Sequence, residues 1–152
     1  MPTERLLELL HEIAEELIPF NKVLGLKVES LDLSEDIRIR FEMRPELVGN
    51  FTRGNLHGGV IASVLDVAGG MVTWIGIMRQ MEGQSFEEIS QRFAKIGTID
   101  LRVDYLRAGL GEYFVATGTT LRTGSKVAVT RMELHNDAGT LIATGTGTYI
   151  VG

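Results

Sequence analysis

One segment constrains the fold more than any other part of the sequence. Residues 58–78 contain a single charged side chain, Asp66, in 21 consecutive positions. A run this long and this apolar is able to cross a bilayer. A carboxylate near the middle of such a span costs about 2.5–3.5 kcal/mol, however, which argues against insertion. We therefore expect a helix that is buried on nearly all sides inside a globular protein, and no membrane span.

The composition is that of an ordinary globular chain. The 152 residues are 44% hydrophobic and 23% charged, which predicts a single domain over residues 1–152. A net charge of -5 argues against nucleic acid as a partner, because proteins that grip phosphate backbones are usually basic. The sequence has no cysteine, which excludes disulfides and thiol nucleophiles. The first residues are charged and amphipathic, unlike a signal peptide, so we expect a cytoplasmic protein.

Periodicity predicts the remaining elements. Apolar residues recur every three or four positions over residues 4–18, which indicates an amphipathic helix that Pro19 ends. Residues 45–54 are expected to form a loop, and residues 85–93 a short helix. Alternating apolar and polar residues predict six strands, at residues 26–33, 37–43, 98–106, 113–122, 126–136 and 140–151.

These elements fit one arrangement. Short connections between consecutive strands demand antiparallel pairing. A six-stranded antiparallel sheet wrapped around the long apolar helix covers every apolar face. The sequence therefore predicts an α+β protein with a hot-dog arrangement and an amphipathic helix at its N-terminus.

Two glycines at the start of the long helix are the first candidates for chemistry. Gly58 and Gly59 lower helix stability unless their open N–H groups or their small size are used. N–H groups at the positive end of a helix dipole suit a developing oxyanion. The alternative is that both glycines only permit close packing against the sheet, and the residues alone favour neither interpretation.

Asp66 is the second candidate, because a buried, charged and unpaired carboxylate is strongly unfavourable. It is either a reactive group or a carboxylate satisfied by a hydroxyl or backbone donor. Asp66 follows Gly58 by eight residues, about 12 Å along a helix, so one carbonyl cannot contact both groups within one chain. If Gly58 and Asp66 cooperate, two copies of the helix must lie antiparallel in a two-fold dimer with two composite sites.

Other polar residues carry weaker signals. His57 is expected either to orient substrate or to hold the turn before the helix, and Thr98 either to position a water or to pair with Asp66. The three histidines are widely scattered, so we expect no metal site. Three basic residues at strand ends either meet phosphates or remain solvated surface charges, namely Arg107, Arg122 and Lys126.

The segment LHGGVIASVLDVAGG at residues 56–70 resembles the hot-dog acyl-CoA thioesterases of the phenylacetate-degradation (PaaI-like) type. The sequence is most similar to a bacterial branch that acts on medium- and long-chain acyl-CoAs. The resemblance continues through GTIDLRVDYLR at residues 97–107 and KVAV at residues 126–129, and it covers nearly the whole chain.

The resemblance implies roles for individual residues. The Gly58 amide would polarise the thioester carbonyl, and Asp66 of the partner subunit would be the general base or nucleophile. Thr98 matches a hydroxyl position that holds the water, and His57 would anchor the thioester end. The family also has an asparagine shortly before the histidine, which Asn50 supplies if one residue is inserted. Substrate would also be bound by Gly59 and, at the nucleotide, by Arg107, Lys126 and Arg122.

The implied function is hydrolysis of medium- to long-chain acyl-CoA thioesters by water. It requires no metal and no cofactor beyond the coenzyme A of the substrate, and the expected assembly is a homodimer, with a tetramer as the larger alternative. Small residues of the long helix, Gly69 and Gly70 among them, would leave a tunnel for the acyl chain. Residues 80–95 are expected either to cap this tunnel or only to cover the edge of the dimer. A hydroxyacyl-thioester dehydratase and a non-catalytic acyl-CoA-binding or regulatory module remain the alternatives.

Overall fold

The computed structural model describes residues 2–34 and 37–152 of the chain. Its α-helices are α1 (Pro2–Glu12), α2 (Pro19–Leu24), α3 (Gly58–Gln80) and α4 (Phe86–Phe93). Its strands are β1 (Lys27–Ser30), β2 (Arg38–Glu42), β3 (Val48–Asn50), β4 (Asn55–Leu56), β5 (Gly97–Tyr105), β6 (Tyr113–Thr123), β7 (Val127–Asn136) and β8 (Leu141–Ile150). A π-helical turn (Ile13–Leu17) and a 3-10 turn (Pro45–Leu47) complete the elements.

Six of the strands form one antiparallel sheet in the order β1–β2–β6–β7–β8–β5, and β3 and β4 form a separate hairpin. The helix α3 packs against strands β5 to β8 of the large sheet. The predicted α+β hot-dog arrangement is therefore confirmed.

The long apolar helix is the centre of the core. Val64, Leu65 and Ala68 of α3 are fully buried against the sheet, and by length and composition alone this helix is able to cross a membrane. Most of its apolar surface lies inside the protein instead. One stripe along α3 is only partly buried, and it consists of Ser63, Asp66, Val67, Gly70 and Trp74.

The N-terminal helix differs from its prediction. The α-helical hydrogen-bonding pattern ends at Glu12, and the chain continues as the π-helical turn before α2. Pro19 begins α2 rather than only ending a helix, because its fixed φ and missing N–H suit the first helical turn. The buried Asn21 side chain donates to the Ala14 carbonyl at 3.1 Å. Leu17, expected on the buried face, is 54% exposed.

Two other segments also differ from prediction. The first strand is shorter than residues 26–33, because Leu26 packs into the core outside the sheet and a bulge interrupts the pairing after Val28. The predicted loop at residues 45–54 contains the 3-10 turn and strand β3. A two-residue return strand, β4, then leads the chain directly to the start of α3.

Strand β5 is one edge of the sheet, and no strand of the described residues pairs with its outer side. Leu101 and Val103 pack against the core. Ile99 and Tyr105, predicted to share their face, are each 54% exposed. The register shift between Thr98 and Asp100 interrupts the predicted alternation at Ile99.

Candidate active site

Asp66 lies on the partly buried stripe of α3, where it faces β5 and β8. Its Oδ1 accepts a hydrogen bond from the Thr98 hydroxyl at 2.9 Å and lies 3.1 Å from the Tyr149 hydroxyl. The Tyr149 hydroxyl is also 3.0 Å from the Asp66 backbone carbonyl oxygen. No side chain or backbone group in the described part of the chain donates to Oδ2. The carboxylate is therefore held at one oxygen and free to accept a proton or attack at the other.

Tyr149 holds Asp66 from inside the protein. It stands on β8 opposite Thr98 of β5 and is 1% exposed. Burial, with the adjacent Asp66 carboxylate, raises the pKa of Tyr149 well above its ordinary value. Its hydroxyl consequently stays protonated at neutral pH and remains a hydrogen-bond donor.

An apolar cavity of about 300 Å³ opens beside Asp66 and Thr98. The Trp74 ring, which also contacts the Phe93 ring at 5.7 Å, forms part of its wall. None of the residues of 80–95 lines it, whereas α2 and the residue before it do. The apolar wall is formed by Ile18, Phe20, Val67, Met71, Trp74 and Ile96.

The two expected tunnel glycines have different surroundings. Gly70 lines the apolar cavity, and a Cβ added there would meet no atom within 4 Å. A Cβ at Gly69 would instead overlap the Tyr149 hydroxyl. Only Gly70 therefore leaves space for a ligand, whereas Gly69 leaves space for a side chain of the protein itself.

The start of α3 offers one open amide rather than two. His57 is the N-cap residue, and its Nδ1 accepts a hydrogen bond from the Gly59 N–H at 2.8 Å. The Gly59 amide, expected to lie open, is thus used for capping. The Gly58 N–H has no acceptor among the described residues, and the Gly58 carbonyl accepts from the Tyr105 hydroxyl at 2.9 Å. The structure therefore leaves the Gly58 amide as the candidate oxyanion donor.

Asn50 holds the turn between β3 and β4. Its Oδ1 accepts from the Thr52 N–H at 3.1 Å and from the Thr52 hydroxyl at 2.6 Å. Asn55 is its partner in the hairpin, and the Asn55 Oδ1 is buried with no hydrogen-bond donor in the described residues. Asn55 is therefore the asparagine of this hairpin that keeps an unused acceptor.

A second cavity, of about 400 Å³, lies at the start of α3 and carries positive charge. Arg53 and Arg107 line it together with Gly58, Asn55 and Tyr105. The Arg107 Nη1 donates to the Leu141 carbonyl at 3.1 Å, which anchors the guanidinium and leaves its other N–H groups for a ligand.

The other two predicted basic residues lie elsewhere. Arg122 is near the end of β6, and Lys126 is in the turn that leads to β7. This turn lies at the end of the sheet where β5 begins, opposite the end where Arg107 follows β5. One chain therefore does not bring Arg107 together with Arg122 and Lys126.

Gly58 and Asp66 also contact opposite ends of β5. Gly58 is bound to Tyr105 and Asp66 to Thr98, and these two strand residues lie about 23 Å apart along an extended chain. One thioester carbonyl cannot contact both groups of the same protomer. Residues 2–34 and 37–152 contain no cluster of three or more His, Cys, Asp or Glu side chains able to hold a metal ion.

Residues 53–143, more than half of the chain, match the thioesterase superfamily. The chain belongs to this superfamily. It is 47% identical to the medium/long-chain acyl-CoA thioesterase YigI of Escherichia coli K12, over 100% of this chain and 97% of that protein. The crystal structure of a thioesterase-superfamily protein from Shewanella oneidensis has a TM-score of 0.95 and 45% identity, covering 99% of this chain and 97% of that one.

A more distant relative of this thioesterase has been crystallised with CoA. It is the BH2602 protein from Bacillus halodurans, with a TM-score of 0.58 and 27% identity over 81% of this chain and 72% of that one. The predicted resemblance to hot-dog thioesterases is thus confirmed for the family.

The sequence patterns did not single out several residues that the thioesterase places at its two cavities. Tyr149 lies in a strand with an ordinary alternating pattern, which does not distinguish it from its neighbours. The sequence feature that could have pointed to it is the pair of glycines that make room for it, Gly69 and Gly147. Arg53 lies in the segment expected to be a loop, residues 45–54, and Asn55 directly follows that segment. Both residues are close in sequence to His57 and Gly58, but this closeness becomes informative only once the hairpin is known.

Proposed function

We propose that this protein hydrolyses medium- to long-chain acyl-CoA thioesters to the free acid and coenzyme A, with residues 1–152 acting as one hot-dog domain in the cytoplasm. The observation that carries the proposal is the Asp66 carboxylate, held at Oδ1 and open at Oδ2 beside an apolar cavity. The name of the Escherichia coli relative, a medium/long-chain acyl-CoA thioesterase, supports the same substrate class.

The proposed active unit is a two-fold homodimer joined through β5. This strand is a nine-residue open edge with exposed apolar side chains, which favours pairing with another strand. Antiparallel pairing of two β5 strands about a point between Leu101 and Arg102 sets Thr98 opposite Tyr105 of the partner subunit. Asp66, bound to Thr98, then comes close to Gly58 of the partner subunit. A tetramer of two such dimers is the larger assembly we propose to test.

In this composite site the Gly58 N–H donates to the thioester carbonyl oxygen and stabilises the oxyanion that forms. Oδ2 of Asp66 takes a proton from a water molecule while the oxygen of that water bonds to the carbonyl carbon. The tetrahedral intermediate then breaks its carbon–sulfur bond, and the coenzyme A thiolate leaves and takes that proton. If Asp66 attacks directly, water hydrolyses the resulting anhydride instead. Thr98 orients the carboxylate, and His57 fixes the start of α3 so that the amide points at the carbonyl.

The two cavities suit the two ends of the substrate. The apolar cavity beside Asp66 accommodates an acyl chain. Arg53 and Arg107 beside Gly58 are suited to the phosphates, and the Asn55 Oδ1 to an amide N–H of the pantetheine arm. The same pairing of β5 brings Arg107 of the partner subunit to the end of the sheet that carries Lys126 and Arg122, which we propose as further phosphate contacts. Coenzyme A enters only as part of the substrate, and no cofactor is proposed.

The dehydratase alternative requires a histidine paired with an acid to move protons on neighbouring carbons. The His57 Nδ1 is instead engaged with the Gly59 N–H, so this alternative has less support. The binding-module alternative predicts tight acyl-CoA binding without release of coenzyme A, and the following experiment separates it from hydrolysis.

The test is thiol release from acyl-CoAs from acetyl to palmitoyl, with phenylacetyl-CoA, by the wild type and Asp66→Asn. We expect turnover that is greatest for medium or long chains and falls about 10²–10⁴-fold in the variant. Glu87→Gln makes the same chemical change at an exposed carboxylate on α4 and is expected to match the wild type. Binding without thiol release contradicts hydrolysis, and full turnover in Asp66→Asn contradicts the assigned base.

A further inference from the structure

The Tyr149 hydroxyl occupies an unusual position, within hydrogen-bond distance of two oxygens of one residue. It lies 3.0 Å from the Asp66 backbone carbonyl oxygen and 3.1 Å from Oδ1. The carbonyl oxygen belongs to the helix and is fixed. A hydroxyl between this fixed atom and Oδ1 therefore restrains the side-chain rotation of Asp66 relative to α3.

The surroundings of Tyr149 are shaped to its ring. Added Cβ atoms at Gly69 and Gly147 would both overlap Tyr149, the first at its hydroxyl and the second at its ring edge. Glycine lowers stability in the middle of a helix and in the middle of a strand, where these two residues stand. The chain therefore carries two destabilising glycines at the positions that leave room for the Tyr149 hydroxyl to reach Asp66.

Thr98 and Tyr149 together determine which oxygen of Asp66 is free. Both hydroxyls converge on Oδ1, one from β5 and one from β8. Thr98 lies on the edge strand, whereas Tyr149 lies on the neighbouring strand and is buried within a single protomer. Without the tyrosine hydroxyl, Oδ1 keeps only the Thr98 donor among the described residues and loses its link to the helix carbonyl.

We propose that Tyr149 is the positioning residue for Asp66, holding Oδ1 so that Oδ2 alone faces the water and the scissile carbonyl. This inference rests on the proposed function, since it assigns a task to a residue that acts through the base. Tyr149 acts through Asp66 and transfers no proton in the reaction.

The test is Tyr149→Phe, which removes the hydroxyl and keeps the ring, with Tyr113→Phe as the matched control. Tyr113 lies on β6 beneath the Arg40 guanidinium, remote from Asp66. We expect kcat of Tyr149→Phe to fall about 10- to 100-fold at unchanged KM. The acid limb of its kcat profile moves to higher pH, because a lost donor disfavours the charged carboxylate. A merely structural role would lower the melting temperature without moving that limb.

The outcomes separate this inference from the proposed function. A wild type without thiol release contradicts the proposed function. An active wild type, an inactive Asp66→Asn and a Tyr149→Phe with normal kcat and an unmoved acid limb overturn the positioning role alone. If circular dichroism shows Tyr149→Phe unfolded, Gly69→Ala replaces it, because its added Cβ overlaps the hydroxyl and the ring carbon that bears it and so moves the hydroxyl away from Asp66. A folded Gly69→Ala with wild-type kcat and acid limb likewise overturns the inference.

Discussion

The two ends of β5 differ in almost every chemical respect. At the Thr98 end, a carboxylate is held by two hydroxyls beside an apolar cavity of about 300 Å³. At the Tyr105 end, an open amide begins a helix beside a cavity of about 400 Å³ lined by two arginines. In the proposed mechanism the first end supplies the base, Asp66, and the second end supplies the oxyanion donor, the Gly58 amide. Each end thus supplies what the other lacks for hydrolysis of one amphipathic thioester.

The largest expected effect at the Tyr105 end comes from removing one N–H with Gly58→Pro. Gly58 is the first residue of α3, where proline is tolerated, and His57 already has the extended ψ of 135° that a following proline requires. We expect kcat to fall about 10²–10³-fold, the loss typical of a missing oxyanion donor, with little change in melting temperature. Gly58→Ala keeps the amide and is the control, although the Tyr105 ring edge must shift slightly, since it lies 3.3 Å from the added Cβ.

Mixed dimers test whether the two ends come from different chains. Refolding Gly58→Pro together with Asp66→Asn gives heterodimers in half of the assemblies, each with one intact composite site. We expect about a quarter of wild-type activity from two variants that are nearly inactive alone. A mixture no more active than its components contradicts the composite site and the proposed pairing of β5.

A smaller effect is expected from Arg53→Gln, which removes one charge from the cavity at the Tyr105 end. Because a phosphate contact acts on binding, KM for an acyl-CoA should rise about 3- to 10-fold at unchanged kcat and less at high salt. The same acyl group on pantetheine, which lacks the nucleotide, should show no difference between variant and wild type. Arg131→Gln, an exposed residue of β7, is the matched control. An equal KM increase for the pantetheine thioester would place Arg53 away from the phosphates.

The smallest effect concerns the apolar cavity at the Thr98 end. Gly70→Leu adds a side chain at the wall of this cavity, where nothing lies within 4 Å of an added Cβ, and the helix gains about 0.8 kcal/mol of propensity. We expect the preferred acyl length to become shorter, with each excluded methylene losing about 0.8 kcal/mol of burial. The ratio of palmitoyl- to hexanoyl-CoA turnover measures the change, and Gly70→Ala should give a smaller shift. An unchanged ratio would place the acyl chain outside this cavity.

The sequence indicated the elements whose signal is local. The helix α3 and the long strands β5 to β8 appear close to their predicted positions, because an apolar run and an alternating pattern are signals carried by neighbouring residues. The contact between Thr98 and Asp66 was also among the stated alternatives. This contact could be predicted because a carboxylate in an apolar helix needs a nearby hydrogen-bond donor.

The parts that were missed depend on tertiary contacts. The π-helical turn before α2 is accompanied by a hydrogen bond from Asn21 to a carbonyl seven residues earlier, which no periodicity reveals. Gly69 and Gly70 are adjacent and identical in type, yet one faces Tyr149 and the other faces the cavity. The expectation of two open amides failed at Gly59 because the capping role of the His57 ring depends on the direction in which its side chain turns.

In the dimer that we propose, pairing at the open edge of β5 makes activity depend on the concentration of the protein. With each composite site assembled from two chains, dilution below the dissociation constant of the dimer separates the base from the amide and silences both sites at once. Activity per chain then rises with the concentration of the protein until most chains are paired. Hydrolysis by such a dimer would therefore rise more steeply than in proportion to the amount of protein that a cell makes.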